Sequence, residues 1–285
     1  NIRAYSTDMG RKVISRRKTQ SEAARTLQRD QIRAWFQPQV STDTGLVTGF
    51  EALARWEHPE RGILAPIQFL DVLHQTGQMG QLADLMLRQS LDAIRAWDDA
   101  GFTVPMVGVN FAGEELRSPT LVERIQWELD RTELDAKRLG IEVLESVVAG
   151  TPDDMVVRNV EAISAMGCEI DLDDFGTGHA SISSIRRLPV KRIKIDRSFV
   201  TNIDKDPDQQ RMIAAIVTMA ERLGLETLAE GVENPAEHAM LAQLGCSHVQ
   251  GYGIARPMPF YETIKWMTEH QEKIGPALQI GNKPS

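Results

Sequence analysis

The strongest constraint on the fold is an alternation between short apolar runs and longer stretches of helical period. Eight runs rich in Val, Ile and Leu indicate strands. They cover residues 32–40, 46–56, 104–110, 139–145, 168–174, 190–196, 225–230 and 247–252. Helical patterns cover residues 66–76, 79–99, 119–132, 152–166, 179–187, 207–223, 235–244 and 260–272. Eight strands that alternate with helices predict an α/β protein of the (β/α)8 barrel type.

The first two strands are connected differently from the others. Residues 41–45 read STDTG, which is a short polar turn. A parallel crossover needs a dozen or more residues, so this turn suits an antiparallel hairpin better. We therefore expect the first strand pair to be antiparallel.

Composition limits the classes of function. The chain has 285 residues, of which 42% are hydrophobic and 25% charged, enough to bury the core of one large domain. It contains no apolar run of membrane-spanning length and no visible secretory leader. Cys168 and Cys246 lie in apolar contexts, which favours free thiols in a reducing cytoplasm. The net charge of -8 argues against a broad surface for duplex nucleic acid.

The two ends of the chain differ from its centre. Residues 10–20 are basic and polar, and residues 21–32 have a serine cap followed by apolar residues at helical spacing. We expect residues 1–31 to be a linker and lead-in helix from an upstream domain, residues 32–273 the barrel, and residues 274–285 a tail. Attachment of the full-length chain to a membrane stays open.

Two adjacent carboxylates end the fifth predicted strand. In EIDLDDFGTG, Asp173 and Asp174 stand at the corner between strand and loop. The alternation of a strand would turn Asp171 and Asp173 toward the barrel axis and Ile170 and Leu172 toward the helices. Barrel proteins place their active sites at these strand ends, so the pair is a candidate site.

Polar residues occur on or near the ends of six other predicted strands. They are Glu51, Arg55, Asn110, Glu142, Lys194, Glu230 and Gln250. Carboxylates that converge on one mouth repel one another unless cations neutralise them. Asp, Glu and Asn oxygens suit Mg²⁺ or Mn²⁺ better than zinc. Adjacent aspartates can each bind one of two ions about 3.5 to 4 Å apart, the arrangement of sites that hydrolyse phosphate esters.

Each of these residues has a structural alternative. The DDFGTG segment is typical of a solvated turn. Glu51 could pair with Arg55 on an exposed strand, Asn110 could cap a helix, and Lys194 could lie on a solvated edge. Their shared position at the strand ends of one barrel favours the functional interpretation. The histidines show no zinc-ligand spacing, and no Walker or Rossmann fingerprint is present.

Seven motifs in order resemble those of the EAL domain family, over about residues 30–272. They are EALAR (51–55), VNFA (109–112), IEVLE (141–145), DDFGTG (173–178), KIDRSFV (194–200), AEGVE (229–233) and QGYGIARPMP (250–259). The resemblance implies a modified TIM barrel whose first strand is antiparallel. It also implies hydrolysis of the bacterial second messenger cyclic di-GMP to linear pGpG with two Mg²⁺ or Mn²⁺ ions, Ca²⁺ being inhibitory.

The resemblance also implies a role for each matching residue. The metal ligands would be Glu51, Asn110, Glu142, Asp173, Asp174 and Glu230. Catalysis would involve Lys194, Glu51, Glu230 and Gln250, with Lys194 orienting or deprotonating the attacking water. Substrate contacts would come from Arg55, Gln37, Leu53 and Gln250. Glu233 would anchor the flexible loop after Asp174.

The chain departs from the family pattern at several positions. Leu144 replaces a usual Thr, Ala112 a usual Ser, and His179 and Ala180 a usual Tyr-Ser pair. The last two lie in the loop that, in the family, couples dimer contacts to the second metal, so they could weaken Mg²⁺ binding. Asp171 stands where a small residue is common. If it faces inward, it must be protonated, hydrated or paired, for which Lys194 is a candidate.

Two functions follow from these observations. The intact acidic set favours an active cyclic di-GMP phosphodiesterase. The alternative is a receptor module that captures cyclic di-GMP without hydrolysing it and signals to a partner. The resemblance further implies a homodimer and an upstream GGDEF or sensory domain in the full-length chain.

Overall fold

Eight strands close into a ring in the computed structural model, which describes Leu27 and residues 31–148, 154–177 and 185–275. The ring runs β1, β2, β4, β5, β6, β7, β8, β9 and back to β1, while β3 pairs with β2 and β10 with β1. The strands are β1 Ile32–Ser41, β2 Val47–His58, β3 Gly62–Leu64, β4 Val107–Phe111, β5 Leu139–Leu144, β6 Glu169–Phe175, β7 Arg192–Ile195, β8 Glu226–Ala229, β9 His248–Val249 and β10 Met258–Pro259.

The direction of β1 confirms the prediction for the first strand pair. β1 is antiparallel to both of its ring neighbours, β2 and β9. Every other neighbouring pair in the ring is parallel. The carboxyl ends of β2 and of β4 to β9 therefore meet at one mouth, as the barrel prediction requires.

Helices cover the outside of the ring. They are α1 Leu70–Gln75, α2 Met79–Asp99, α3 Gly113–Leu116, α4 Leu121–Thr132, α5 Glu145–Val148, α6 Asp154–Ala165, α7 Arg197–Val200, α8 Pro207–Leu223, α9 Pro235–Gln243 and α10 Phe260–Ile274. The predicted bounds of α2 and α8 are confirmed. α8 begins where the Asp206 side chain accepts hydrogen bonds from the Asp208 and Gln209 amides, and it ends at Gly224 with a left-handed φ of 71°.

Several predictions lie largely outside the described residues. The lead-in helix and linker precede residue 31, and most of the predicted helix at 179–187 and of the tail is also undescribed. The domain boundaries therefore stay predictions. Among the described residues, no helix combines the length and the apolar character needed to cross a membrane. Cys168 and Cys246 are both buried free thiols.

The core lies between the ring and the helices. Ile170 and Leu172 of β6 are buried in it, as the strand alternation predicts. Near the amino-terminal strands, the Trp97 ring of α2 stacks on Phe50 at 5.0 Å and meets Phe36 edge to face at 5.1 Å. Each such buried side chain contributes about 1.5 to 3 kcal/mol through apolar burial. The apolar strand faces thus turn outward, which leaves the polar faces for the barrel axis.

Candidate metal-binding active site

Lys194 stands at the centre of the mouth and is fully buried. Its Nζ lies 2.7 Å from Glu142 Oε2, 2.9 Å from Glu230 Oε1 and 3.0 Å from Asp173 Oδ1. Glu51 Oε2 is slightly farther away, at 3.6 Å. β7 provides the lysine, while β2, β5, β6 and the residue after β8 provide the carboxylates. The structure thus brings four of the predicted carboxylates together around the ammonium group of the predicted lysine.

The surrounding carboxylates keep Lys194 positively charged. Burial alone would lower the pKa of this lysine, because it disfavours the charged form. Asp173 and Glu142 oppose that effect, and the pKa of Lys194 is raised well above its ordinary value. At neutral pH Lys194 is therefore a hydrogen-bond donor and a counterion.

A single lysine does not neutralise all of the carboxylates. Burial, followed by the charge of Glu51, raises the pKa of Glu142 well above its ordinary value. Burial likewise raises the pKa of Glu230 to about 8. For Glu51, burial acts in the same direction, but Lys194 and hydrogen bonds outweigh it and lower the pKa. The mouth therefore holds more acidic groups than it can keep ionised by itself, which favours the binding of added cations.

Amide side chains fix the orientation of Glu51. Asn110 Nδ2 donates to Glu51 Oε1 at 2.9 Å, and Gln250 Nε2 donates to Glu51 Oε2 at 2.7 Å. The Gln250 Nε2 group also lies 3.2 Å from Gln37 Oε1, and the Gln250 Oε1 accepts from Gln39 Nε2 at 2.9 Å. Gln37 and Gln39 reach Gln250 because β1 pairs with β9. Sequence reasoning missed Gln39, since nothing in the local pattern shows that β1 faces β9.

Three acidic groups form a candidate cation site. Asp173, Asp174 and Glu230 each offer a carboxylate oxygen, and these oxygens lie within 4.8 Å of one another. Asp174 has a left-handed φ of 55°, a conformation that costs energy for a residue other than glycine. This bend turns the chain directly after Asp173, so that both neighbours line the mouth.

Within the described residues, the site also offers an acceptor that lacks a hydrogen-bond partner. Glu142 Oε1 is buried and has no hydrogen-bond partner within the described part of the chain. It lies against Gly108, where a Cβ would come within 2.1 Å of this oxygen. Glycine at this position makes room for the carboxylate, whose free oxygen fits a hard divalent cation.

Two cavities adjoin the acidic groups. The larger, of about 550 Å³, is polar and is bordered by Gln37, Glu51, Leu53, Arg197, Glu233 and Tyr252 among others. The smaller, of about 360 Å³, is more apolar. Ala112 and Leu144, which depart from the family pattern, line this smaller cavity beside Met79. An organic phosphate ester matches this combination of charged floor and apolar wall.

Arg55 is placed differently from the other predicted substrate contacts, because it lines neither cavity. Its Nη1 donates to the Ala54 carbonyl at 2.8 Å, and Arg55 borders neither of the two cavities. Gln37 and Leu53 both border the larger cavity. The substrate role of Arg55 stays a prediction.

Glu145 contacts the segment after Asp174 and was missed by sequence reasoning. Its Oε2 accepts a hydrogen bond from the Gly176 amide at 2.9 Å. Glu233, predicted to anchor this loop, borders the larger cavity and donates its backbone N–H to Glu237 Oε2 at 2.8 Å. Its anchoring role stays a prediction, and His179 and Ala180 lie outside the described residues. The position of Glu145 directly after a strand end was the available signal.

Asp171 faces inward, but its partner is not Lys194. Arg192 Nε lies 3.1 Å from Asp171 Oδ2, and the Arg192 Nη2 group contacts the same oxygen. The suggestion of a pair with Lys194 was wrong because Asp171 lies opposite Arg192 in the β6–β7 register. Lys194 is two residues farther along β7 and contacts the carboxylates at the mouth, such as Asp173, instead.

Together the ring and its mouth define a class of protein, the α/β barrel with a cluster of acidic groups, a candidate cation site, at the carboxyl ends of its strands. The chain belongs to the EAL domain family, whose EAL domain model matches residues 20–257. The resemblance noted in the sequence is thereby confirmed.

Curated relatives of this chain are longer proteins. It is 37% identical over 233 residues to the bifunctional diguanylate cyclase/cyclic di-GMP phosphodiesterase MucR of Pseudomonas aeruginosa, a match that covers 82% of this chain and 34% of MucR. It is 31% identical to the cyclic di-GMP phosphodiesterase NbdA of the same organism, over 99% of this chain and 36% of NbdA. The chain thus spans about a third of the length of these relatives.

Solved structures show the same fold. The PaMucR phosphodiesterase in complex with c-di-GMP superimposes with a TM-score of 0.82 at 35% identity, covering 86% of this chain and 99% of that one. The EAL domain protein of Listeria monocytogenes gives a TM-score of 0.76 at 27% identity, covering 86% and 95% of the two chains. The modified barrel predicted from the sequence is therefore confirmed.

Proposed function

We propose that this chain hydrolyses cyclic di-GMP to linear pGpG with two divalent cations, Mg²⁺ or Mn²⁺. The observation that carries the proposal is the set of four carboxylates around Lys194, with Asp174 beside them at the edge of a substrate-sized cavity. The similarity to MucR, NbdA and the PaMucR complex supports the choice of substrate.

The chain's own residues would hold and orient the reacting groups. Glu51, Asn110, Glu142, Asp173, Asp174 and Glu230 are the proposed cation ligands. When bound, the cations would lower the pKa of a water molecule and offset charge on the phosphorane-like transition state. Lys194 would orient that water by donating a hydrogen bond, because its raised pKa leaves it protonated at neutral pH. Gln250 would hold the water or a ligand through its side-chain amide.

The surroundings of the reaction are part of the proposal. Leu53 and Gln37 would contact the substrate from the wall of the larger cavity, and Arg55 would contact a phosphate. Ca²⁺ would inhibit, because it prefers more ligands and longer distances than Mg²⁺. The chain would work in the cytoplasm as a homodimer, downstream of a GGDEF or sensory domain. A monomeric mass by light scattering, with and without ligand, would contradict the dimer.

The test is conversion of cyclic di-GMP to pGpG by purified protein in the presence of Mg²⁺, Mn²⁺ or Ca²⁺, with the product measured by chromatography. Turnover should require Mg²⁺ or Mn²⁺ and be lost in Glu51→Gln, which keeps the shape of the side chain but not its charge. Asp92→Asn, on the outer helix α2, is the matched control and should keep full activity. Binding without turnover under every metal would refute hydrolysis and favour the receptor alternative.

A further inference from the structure

The interior of the barrel contains a second ion pair directly beneath the proposed metal centre. On β6 and β7, Asp173 and Lys194 form an upper pair, with 3.0 Å between Asp173 Oδ1 and Lys194 Nζ. Asp171 and Arg192, each two residues earlier on the same strands, form a lower pair. Two residues of a strand advance about 6.6 Å, so the lower pair lies roughly 7 Å below the upper one.

The lower pair is sealed from solvent. The side chain of Asp171 has no exposed surface, and that of Arg192 is 3% exposed. The charged groups near Arg192 are Asp171, Glu142 on β5, Glu169 at the start of β6 and Glu226, which lies opposite Arg192 in the β7–β8 register. A buried guanidinium needs a carboxylate partner, and Asp171 is the one it contacts.

Without Asp171, Arg192 would have a competing acceptor close by. Glu142 lies beside Asp171 in the β5–β6 register. Its Oε1 is one of the buried oxygens that lack a hydrogen-bond partner within the described residues. A released guanidinium that turned toward this oxygen would occupy a proposed cation ligand.

We propose that Asp171 is a positioning residue for the metal centre: by neutralising and holding Arg192, it preserves the affinity of the carboxylates above for divalent cations. This inference rests on the cation site proposed above. Asp171 would affect the cation site through its negative charge and by holding Arg192 in position, without contacting a cation directly. Coulomb's law at an effective dielectric constant near 20 gives a unit charge about 7 Å away a large effect on a divalent ion.

The experiment measures Mn²⁺ binding without substrate, from the electron paramagnetic resonance signal of free Mn²⁺. Asp171→Asn removes the negative charge and keeps the volume, so its Mn²⁺ affinity should fall at least about tenfold. Asp171→Asn/Arg192→Gln removes both charges and should return the affinity to within about threefold of the wild type. Arg192→Gln alone should bind at least as tightly as the wild type.

A matched control removes one carboxylate from an ion pair outside the barrel. Asp92 accepts a hydrogen bond from Arg131 at 2.8 Å on the helical surface, so Asp92→Asn should leave Mn²⁺ affinity unchanged. Circular dichroism establishes that each variant is folded. If Asp171→Asn does not fold, the double variant and Arg192→Gln decide the question, because weakened binding in either would overturn the proposal.

The outcomes separate this inference from the proposed function. Wild-type affinity in Asp171→Asn would refute it, as would a double variant that stays as weak as the single one. A wild-type protein that binds no Mn²⁺ would refute the cation site itself. Wild-type Mn²⁺ binding without turnover would refute hydrolysis and leave the role of Asp171 intact.

Discussion

A single methyl group at Gly108 tests whether the Glu142 carboxylate is a cation ligand. Gly108 lies on β4, and its missing side chain leaves the space that Glu142 Oε1 occupies. In Gly108→Ala the new Cβ would lie 2.1 Å from this oxygen and 3.0 Å from the carboxylate carbon. The change removes no charged residue from the mouth but displaces the Glu142 carboxylate, so it tests geometry rather than charge.

The expected magnitude follows from these distances. Ordinary contact with a Cβ begins near 3.4 Å, so the oxygen must move by more than about 1 Å. Cation sites tolerate about 0.2 Å of error in ligand distance, and we therefore expect Mn²⁺ affinity to fall at least about tenfold. Overpacking costs about 1 to 3 kcal/mol, partly offset by the lower entropy of the unfolded alanine chain. The protein should remain folded.

Mn²⁺ titration, urea unfolding and cyclic di-GMP turnover together form the assay for Gly108→Ala. Gly80→Ala is the matched control, because a Cβ at Gly80 on α2 meets no atom within 4 Å. The control should bind Mn²⁺ as the wild type does. A folded Gly108→Ala protein with unchanged Mn²⁺ affinity would show that the Glu142 oxygen is not needed for the cation, and would refute the reasoning.

Three further predictions address other groups of the mouth. Burial raises the pKa of Glu230 from an ordinary 4.5 to about 8, so the stability that this residue contributes is present below about pH 4.5 and is lost as pH rises through 8. The free energy of unfolding of the metal-free protein should therefore fall by a few kcal/mol over this pH range, and Glu230→Gln should remove most of the fall. Lys194→Met should destabilise the metal-free protein by about 3 to 5 kcal/mol in urea unfolding, because it leaves four buried carboxylates without their shared cationic partner. Mn²⁺ should restore part of the lost stability. Glu145→Ala frees the Gly176 amide and should weaken Mn²⁺ binding about tenfold, whereas an unchanged affinity would mean that the contact does not hold the Asp173–Asp174 corner.

The sequence predicts the fold well where one period dominates. The bounds of α2 and α8 are confirmed because each has a long helical period, and α8 also has a capping aspartate with a following proline. The hairpin between β1 and β2 is confirmed because a five-residue polar turn excludes a crossover. These signals are local, and each is visible before any tertiary contact is known.

Elements fixed by tertiary contacts were less predictable. The eighth strand was predicted over residues 247–252, but only His248 and Val249 pair in β9. The short strands β3 and β10 were not predicted, because a two- or three-residue strand has no period of its own. Each pairs with a segment of β1 or β2 outside the segments that pair with β9 and β4, so its position depends on tertiary pairing.

The site follows the same division. Strand alternation correctly turned Asp171 and Asp173 inward, since a period of two is a property of the strand itself. It could not choose between Arg192 and Lys194 as the partner of Asp171, because both lie on the inward face of β7. Only the register of β6 against β7 decides that question. The alternation of side chains within either strand does not by itself reveal the stagger between the two.

The distribution of charge explains why the barrel can fold stably around this acidic mouth and the mouth can still bind cations. Each lysine–carboxylate contact offsets some of the cost of burial, but the raised pKa of Glu142 and of Glu230 shows that repulsion remains. That repulsion is relieved by protons at low pH and would be relieved by divalent ions at higher pH. Proton and cation therefore compete for the same oxygens, so Mn²⁺ affinity should rise with pH as it approaches and passes the pKa of Glu230, near 8. Titrations of the wild type at pH 6, 7, 8 and 9 measure this dependence, and an affinity that is flat across the series would contradict a cation held by Glu230.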